Sequence, residues 1–120
     1  MNCVQLIGRV ENEPELRHTT GSGQAVVNLV LATTEVFNDK EGKRQRRTER
    51  HRLVCWGSLA DFVEKEVFRR DWLGVEGKLQ TRQSVDRVSG RPRYAVEVTV
   101  TRVHLFGDDY EEENHESNKD

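Results

Sequence analysis

The 120-residue chain has no apolar run near the roughly 20 residues that a bilayer-spanning helix needs. Its start, MNCVQLIGRV, has neither the basic opening nor the apolar centre of a secretory signal. A soluble intracellular protein is therefore expected. Cysteine is scarce: Cys3 and Cys55 stand far apart, with no CxxC and no histidine at ligand spacing, so neither a zinc site nor a disulfide framework is indicated. His18, His51, His104 and His115 are scattered and form no metal pattern, so no metal or other cofactor is expected. There is no internal repeat and no glycine-rich phosphate loop. Carboxylates for metal-assisted catalysis are also missing. Glu76-Gly77-Lys78 is similar to the Glu-x-Lys of some nucleases, and Asp61 and Glu64 lie one helical turn apart. No further acid completes a site around either, and both read as surface charge on a protein that is not an enzyme.

What is present is charge, unevenly placed. The formal net charge is only −2. Residues 1–107, however, hold 18 Lys and Arg against 14 Asp and Glu, while residues 108–120 hold one Lys against seven acids. A basic body (+4) thus precedes an acidic tail (−6), and the chain divides into one domain over 1–107 and a tail over 108–120 whose polar, acidic composition predicts disorder.

Within the body, apolar residues recur mostly with period two. CVQLIGRV alternates as a strand, AVVNLVLATTEV is rich in β-branched residues, and TERHRLVCWG alternates cations with apolar residues. The charged stretch NDKEGKRQRR between the last two has the turn chemistry of a hairpin loop. SLADFVEKEVFRR switches to helical spacing, with Leu59, Phe62, Val63 and Val67 on a buried stripe and Ser58 and Asp61 as a capping box. WLGVEGKLQTRQSVD and YAVEVTVTRVHLF return to alternation around the turn RVSGRPR. Five strands with one short helix between the third and fourth give an all-β chain with the layout of a Greek-key barrel of the OB type.

Three stretches carry a family likeness: VQLIGRVENEPELRHTTGSGQAVVNLVLATTEVF, DKEGKRQRRTERHRLVCWGSLAD and VEGKLQTRQSVDRVSGRPRYAVEV. In this order and at this spacing, the chain resembles the bacterial single-stranded DNA-binding proteins over nearly all of residues 1–107. The resemblance implies an OB-fold, a homotetramer (a dimer being the alternative), a cytoplasmic, nucleoid-associated location, no cofactor and no membrane contact. It implies coating of single-stranded DNA in replication, recombination and repair by phosphate contacts plus base stacking. The alternative is a dimeric assembly factor resembling the primosomal replication proteins.

The resemblance places DNA contacts residue by residue, and the sequence departs from its pattern at several of them. Phe37 stands where tryptophan is common, and Trp56 where phenylalanine is common. Arg50 and Ser84 replace two further stacking tryptophans, and Ser58 replaces a common lysine. A guanidinium can both stack on a base and pair with phosphate, whereas serine cannot stack. More charge and less stacking are therefore expected, with affinity falling steeply in salt. Arg52 and Arg82 match contact positions, and Arg50, Arg52 and Trp56 share one face of their strand by alternation. Lys78 lies on the same outer face as Arg82; Arg69 and Arg70 follow the helix; and Lys43, Arg44, Arg46 and Arg47 crowd the hairpin loop.

Each of these residues has a plainer reading. The loop cations could be a solvated surface, Phe37 could plug a barrel end, and Tyr94 could pack within the barrel instead of contacting DNA. Trp72 is better suited to a subunit interface, and His51 to a hydrogen-bonded inward position. The family's tails commonly close on an acidic tip with Pro and Phe that docks replication and repair enzymes. GDDYEEENHESNKD has no such tip, so recruitment by that route is not expected, although the acids could compete with DNA for the basic face.

Overall fold

The alternating stretches form strands in a computed structural model, which describes residues 1–110. Their order is β1 (Val4–Val10), β2 (Arg17–His18), β3 (Ala25–Asn38), β4 (Arg44–Trp56), helix α1 (Ser58–Glu66), β5 (Trp72–Val85) and β6 (Pro92–Gly107). The sheet runs β1-β5-β6-β4-β3-β2, and a second pairing of β1 with β3 closes the five long strands into a barrel. This is the OB-type barrel that the alternation predicts. The two-residue β2, paired with Ala25 and Val26, is an addition inside the loop that leads to β3. All pairings are antiparallel except the seam of β4 with β6, where Leu53 meets Val98 and Val54 meets Thr99. The acidic segment expected to be disordered lies, from residue 111 onward, outside the described residues.

The barrel is filled by one side chain from every second strand position. Val10, Val27, Leu29, Leu31, Leu53, Leu73 and Val75 are almost completely enclosed, each contributing about 1.5–3 kcal/mol by burial. Cys55 belongs to the same core, and burial pushes its thiol up to about 12, so it is a neutral packing residue. Two glycines sit where strands approach most closely. A Cβ on Gly8 would run into the carbonyl oxygen of Ala32, and one on Gly77 into that of Thr99. Beside Gly77 the β5–β6 register slips by one residue, which lets Val100 pair with Gly77 and Val103 with Val75.

Helix α1 departs from the sequence reading at its start. Gly57, with φ of 64°, occupies the N-cap without a side-chain hydrogen bond, and Ser58 is the first helical residue. The capping box therefore does not form. Ala60, Val63 and Val67 are buried, but Phe62 turns out toward solvent.

Two hairpins extend beyond the barrel, whose greatest dimension with them is 55 Å. The β3–β4 arm pairs from Ala32 with Arg50 out to Asn38 with Arg44. Arg44, Arg46 and Arg47 are therefore strand residues and not the loop residues that the turn chemistry of NDKEGKRQRR suggests, because the turn itself is confined to residues 39–43. The β5–β6 hairpin pairs from Gln80 with Glu97 out to Val85 with Pro92. An aspartate closes each tip. Asp39 accepts from the amides of Glu41 and Lys43, and Asp86 from the amide of Val88 and the hydroxyl of Ser89.

Candidate nucleic-acid interface

Residues opposite one another in a ladder project to the same side of the sheet. The register of β4 therefore sorts its charges. Arg44, Arg46, Arg50 and Arg52 oppose Asn38, Val36, Ala32 and Val30 on the outer face, and Trp56 and Val54 continue that row. Successive outer positions are about 6.8 Å apart, so the strand presents its cations as a row interrupted once, by Thr48 opposite Thr34. Lys43 lies exposed at the tip, where its amide donates to Asp39 Oδ1.

The row leads into a groove of about 540 Å³. Trp56, 38 % exposed, and Val54, 3 % exposed, are on its floor with Asn28 and Thr99. Arg17, His18, Thr19 and Thr20 form one wall, and Gln80, Arg82 and Glu97 the other. Val54 faces outward as the alternation predicts, yet it is enclosed because these walls rise on both sides of it. Lys78 opposes Thr99 on β6, which itself meets Val54, so Lys78 continues the floor laterally.

Four arginines of the groove and the arm are already paired with carboxylates, among them Arg17 of the wall, whose Nε lies 3.6 Å from Glu15 Oε1. Arg50 Nε lies 2.7 Å from Glu11 Oε1, Arg82 Nη1 3.3 Å from Glu97 Oε2, and Arg47 Nη1 3.6 Å from Glu35 Oε1. The Thr99 hydroxyl donates to Gln80 Oε1 on the same wall as Arg82. Arg44, Arg46 and Arg52 have no ion-pair partner among the described residues.

Other predicted residues stand apart from this groove. Phe37 opposes Gln45 and therefore lies on the arm's other face, under the Arg47 guanidinium at 4.9 Å from the ring centre. Tyr94 opposes Gln83, two-thirds exposed on the face of the β5–β6 hairpin opposite Arg82. Arg69 and Arg70 lie at a second cavity of about 760 Å³ with Arg9, Phe68 and Asp108. Arg70 adopts a left-handed φ of 80° while its amide donates to Val10 O. Ser84 lies near the end of the β5–β6 hairpin, exposed. His51 is half-buried and hydrogen-bonded to Thr33 Oγ1 at 2.8 Å. Trp72 contacts its own chain: the Arg9 guanidinium stands 5.1 Å from its ring centre and Tyr110 meets it edge-on at 5.7 Å.

The sequence reading missed the wall formed by Arg17, His18, Thr19 and Thr20, together with Gln80, Glu97 and Thr99. The basic pair Arg17-His18 inside a Gly- and Thr-rich loop was the available signal. No group of three or more His, Cys, Asp or Glu among the described residues could hold a metal ion.

A closed five-stranded barrel whose outer groove joins a tryptophan to a row of arginines defines an OB-fold of the kind suited to polyanionic chains. A model of the single-strand binding protein family matches residues 1–106, and the chain belongs to that family. It is 45% identical over 107 residues to the single-stranded DNA-binding protein 1 of Chlorobaculum tepidum, covering 89% of this chain and 65% of that protein. It is 44% identical over 102 residues to the single-stranded DNA-binding proteins of Rickettsia typhi and Rickettsia prowazekii, covering 83% of this chain and 66% of each relative. The chain thus spans a little under two thirds of the length of these relatives. Among solved structures, the Plasmodium falciparum SSB complex with ssDNA superposes with a TM-score of 0.78 at 28% identity, over 89% of this chain and 94% of that one. A deletion mutant of the Thermus aquaticus single-stranded DNA binding protein superposes with a TM-score of 0.76 at 27% identity, over 88% of this chain and 50% of that one.

Proposed function

We propose that this protein binds and coats single-stranded DNA without base readout, serving DNA replication, recombination and repair, and that it carries out no chemistry itself. One observation carries the reading: Trp56 opens from the groove floor at the end of the arginine row on β4. A strand bearing phosphates on one side and unpaired bases on the other matches such a surface, each stacked base contributing about 1–3 kcal/mol. A homotetramer in the cytoplasm, associated with the nucleoid, is the assembly and place that the family resemblance supports. Titration with oligo-dT of increasing length tests the binding, read by quenching of Trp56 and Trp72 fluorescence, with the mass of the assembly measured alongside. Saturable quenching that weakens as salt rises is expected. No quenching at low salt overturns the reading.

A further inference from the structure

Arg50, the residue that stands where its family usually stacks a tryptophan, already has a carboxylate at one edge of its guanidinium. Its Nε lies 2.7 Å from Glu11 Oε1, closer than any other arginine–carboxylate pair among the described residues. The carboxylate comes from a fixed backbone. Glu11 N–H donates to Val30 O, and the next side chain, Asn12, clamps β3 by accepting from Val30 N at 2.8 Å and donating to Asn28 O at 3.1 Å.

The path between the two residues is also built. Arg50 opposes Ala32 from the β4 side of β3, and Arg9 opposes the same alanine from the β1 side. To reach Glu11, just past the end of β1, the Arg50 side chain must cross β3. The methyl group of Ala32 leaves room for that crossing. Arg52, one outer position along β4, has no ion-pair partner among the described residues, so the pairing is particular to Arg50 and not a property of the whole row.

We propose that Glu11 gates Arg50: it occupies the guanidinium edge that a phosphate would take, and binding of single-stranded DNA exchanges this carboxylate for a backbone phosphate. The inference rests on the proposed DNA-binding function and adds to it a residue that holds affinity down. It also means that replacing tryptophan by arginine here adds less attraction for DNA than one unpaired cation would.

Oligo-dT titrations over a salt series test the gate on the full chain. Glu11→Asp keeps the charge but shortens the reach, and is expected to tighten binding roughly twofold at low salt. Glu11→Gln is expected to tighten it roughly two- to fivefold and to steepen the slope of log K against log salt by up to about 0.7. Glu64→Gln, on the exposed side of α1, controls for the loss of one negative charge and is expected to give a smaller gain. In an Arg50→Gln background the gain from Glu11→Gln should shrink to that of Glu64→Gln. Equal gains from Glu11→Gln and Glu64→Gln, or a Glu11→Gln gain that survives loss of Arg50, overturn the gate while leaving DNA binding in place. A wild-type chain that does not bind oligo-dT at all overturns the functional reading instead.

Discussion

The β3–β4 arm and the β5–β6 hairpin carry equal formal charge in different arrangements. Residues 33–52 hold seven Lys and Arg against four Asp and Glu, and residues 78–97 hold five against two, a balance of +3 for each. Both are antiparallel ribbons closed by an aspartate turn. On the arm, Arg44, Arg46, Arg50 and Arg52 fall at even positions of one strand and so share one face. On the hairpin, Arg82 is set against Glu97, while Leu79, Val85, Tyr94 and Val96 leave the opposite face exposed and apolar. Net charge is therefore a poor guide to where a polyanion would lie. The parity of the charged positions decides it.

The comparison breaks most readily by removing charge. Changing Arg44, Arg46 and Arg52 together to Gln is expected to weaken oligo-dT binding on the order of a hundredfold at 50 mM salt and to flatten the salt slope by about 2. The matching change of Arg87, Arg91 and Arg93 on the hairpin should cost less than tenfold in the same titration. Similar losses from the two triples would show that total charge, not its alignment, governs binding.

Aromatic residues sharpen the comparison at the next level. Trp56→Ala is expected to cost about 1–3 kcal/mol of binding, roughly 5- to 150-fold. Tyr94→Ala, on the hairpin's opposite face, should stay within about twofold. Isothermal titration with oligo-dT would separate them, and a Tyr94 loss as large as that of Trp56 would place the strand across both hairpin faces.

The smallest expected effect lies at the two tips, where arm and hairpin should behave alike. Amide donors hold the Asp39 and Asp86 carboxyls below the ordinary aspartate value. A carboxyl whose folded pKa is depressed contributes stability that is complete above its unfolded value and is lost as pH falls through the folded one. Both turns should therefore loosen below about pH 4. Hydrogen exchange should report this at the amides of Lys43 and Val88 while Leu53 in the barrel stays protected. A tip that holds its protection through that range would show that its ladder, not its aspartate, closes the turn.

Much of the architecture was legible because period two speaks directly to burial. The faces of β4 followed from alternation alone, since Leu53 and Cys55 could only be core and Arg52 and Trp56 could only be outside. Phe37 and Tyr94 were harder for a stated reason: each lies in a hairpin, and its face depends on a register that a turn sets and the flanking residues do not announce. The pairing of Arg50 with Glu11 joins residues 39 positions apart, and no local pattern signals it. The cap of α1 misled because Ser58 and Asp61 have the right spacing, while Gly57, able to adopt positive φ, takes the N-cap position.

The seam between β4 and β6 has a kinetic meaning. Leu53 and Val98, and Val54 and Thr99, lie 45 positions apart in the chain, whereas each hairpin closes on its own neighbours. Contacts of such long range form late because the loop entropy must be overcome before they stabilise anything. Val54 and Thr99 are also the floor of the groove. A nascent chain with both ribbons zipped but the seam open holds every arginine and the tryptophan, yet has no place to lay a strand, so the binding surface exists only once this long-range seam has closed.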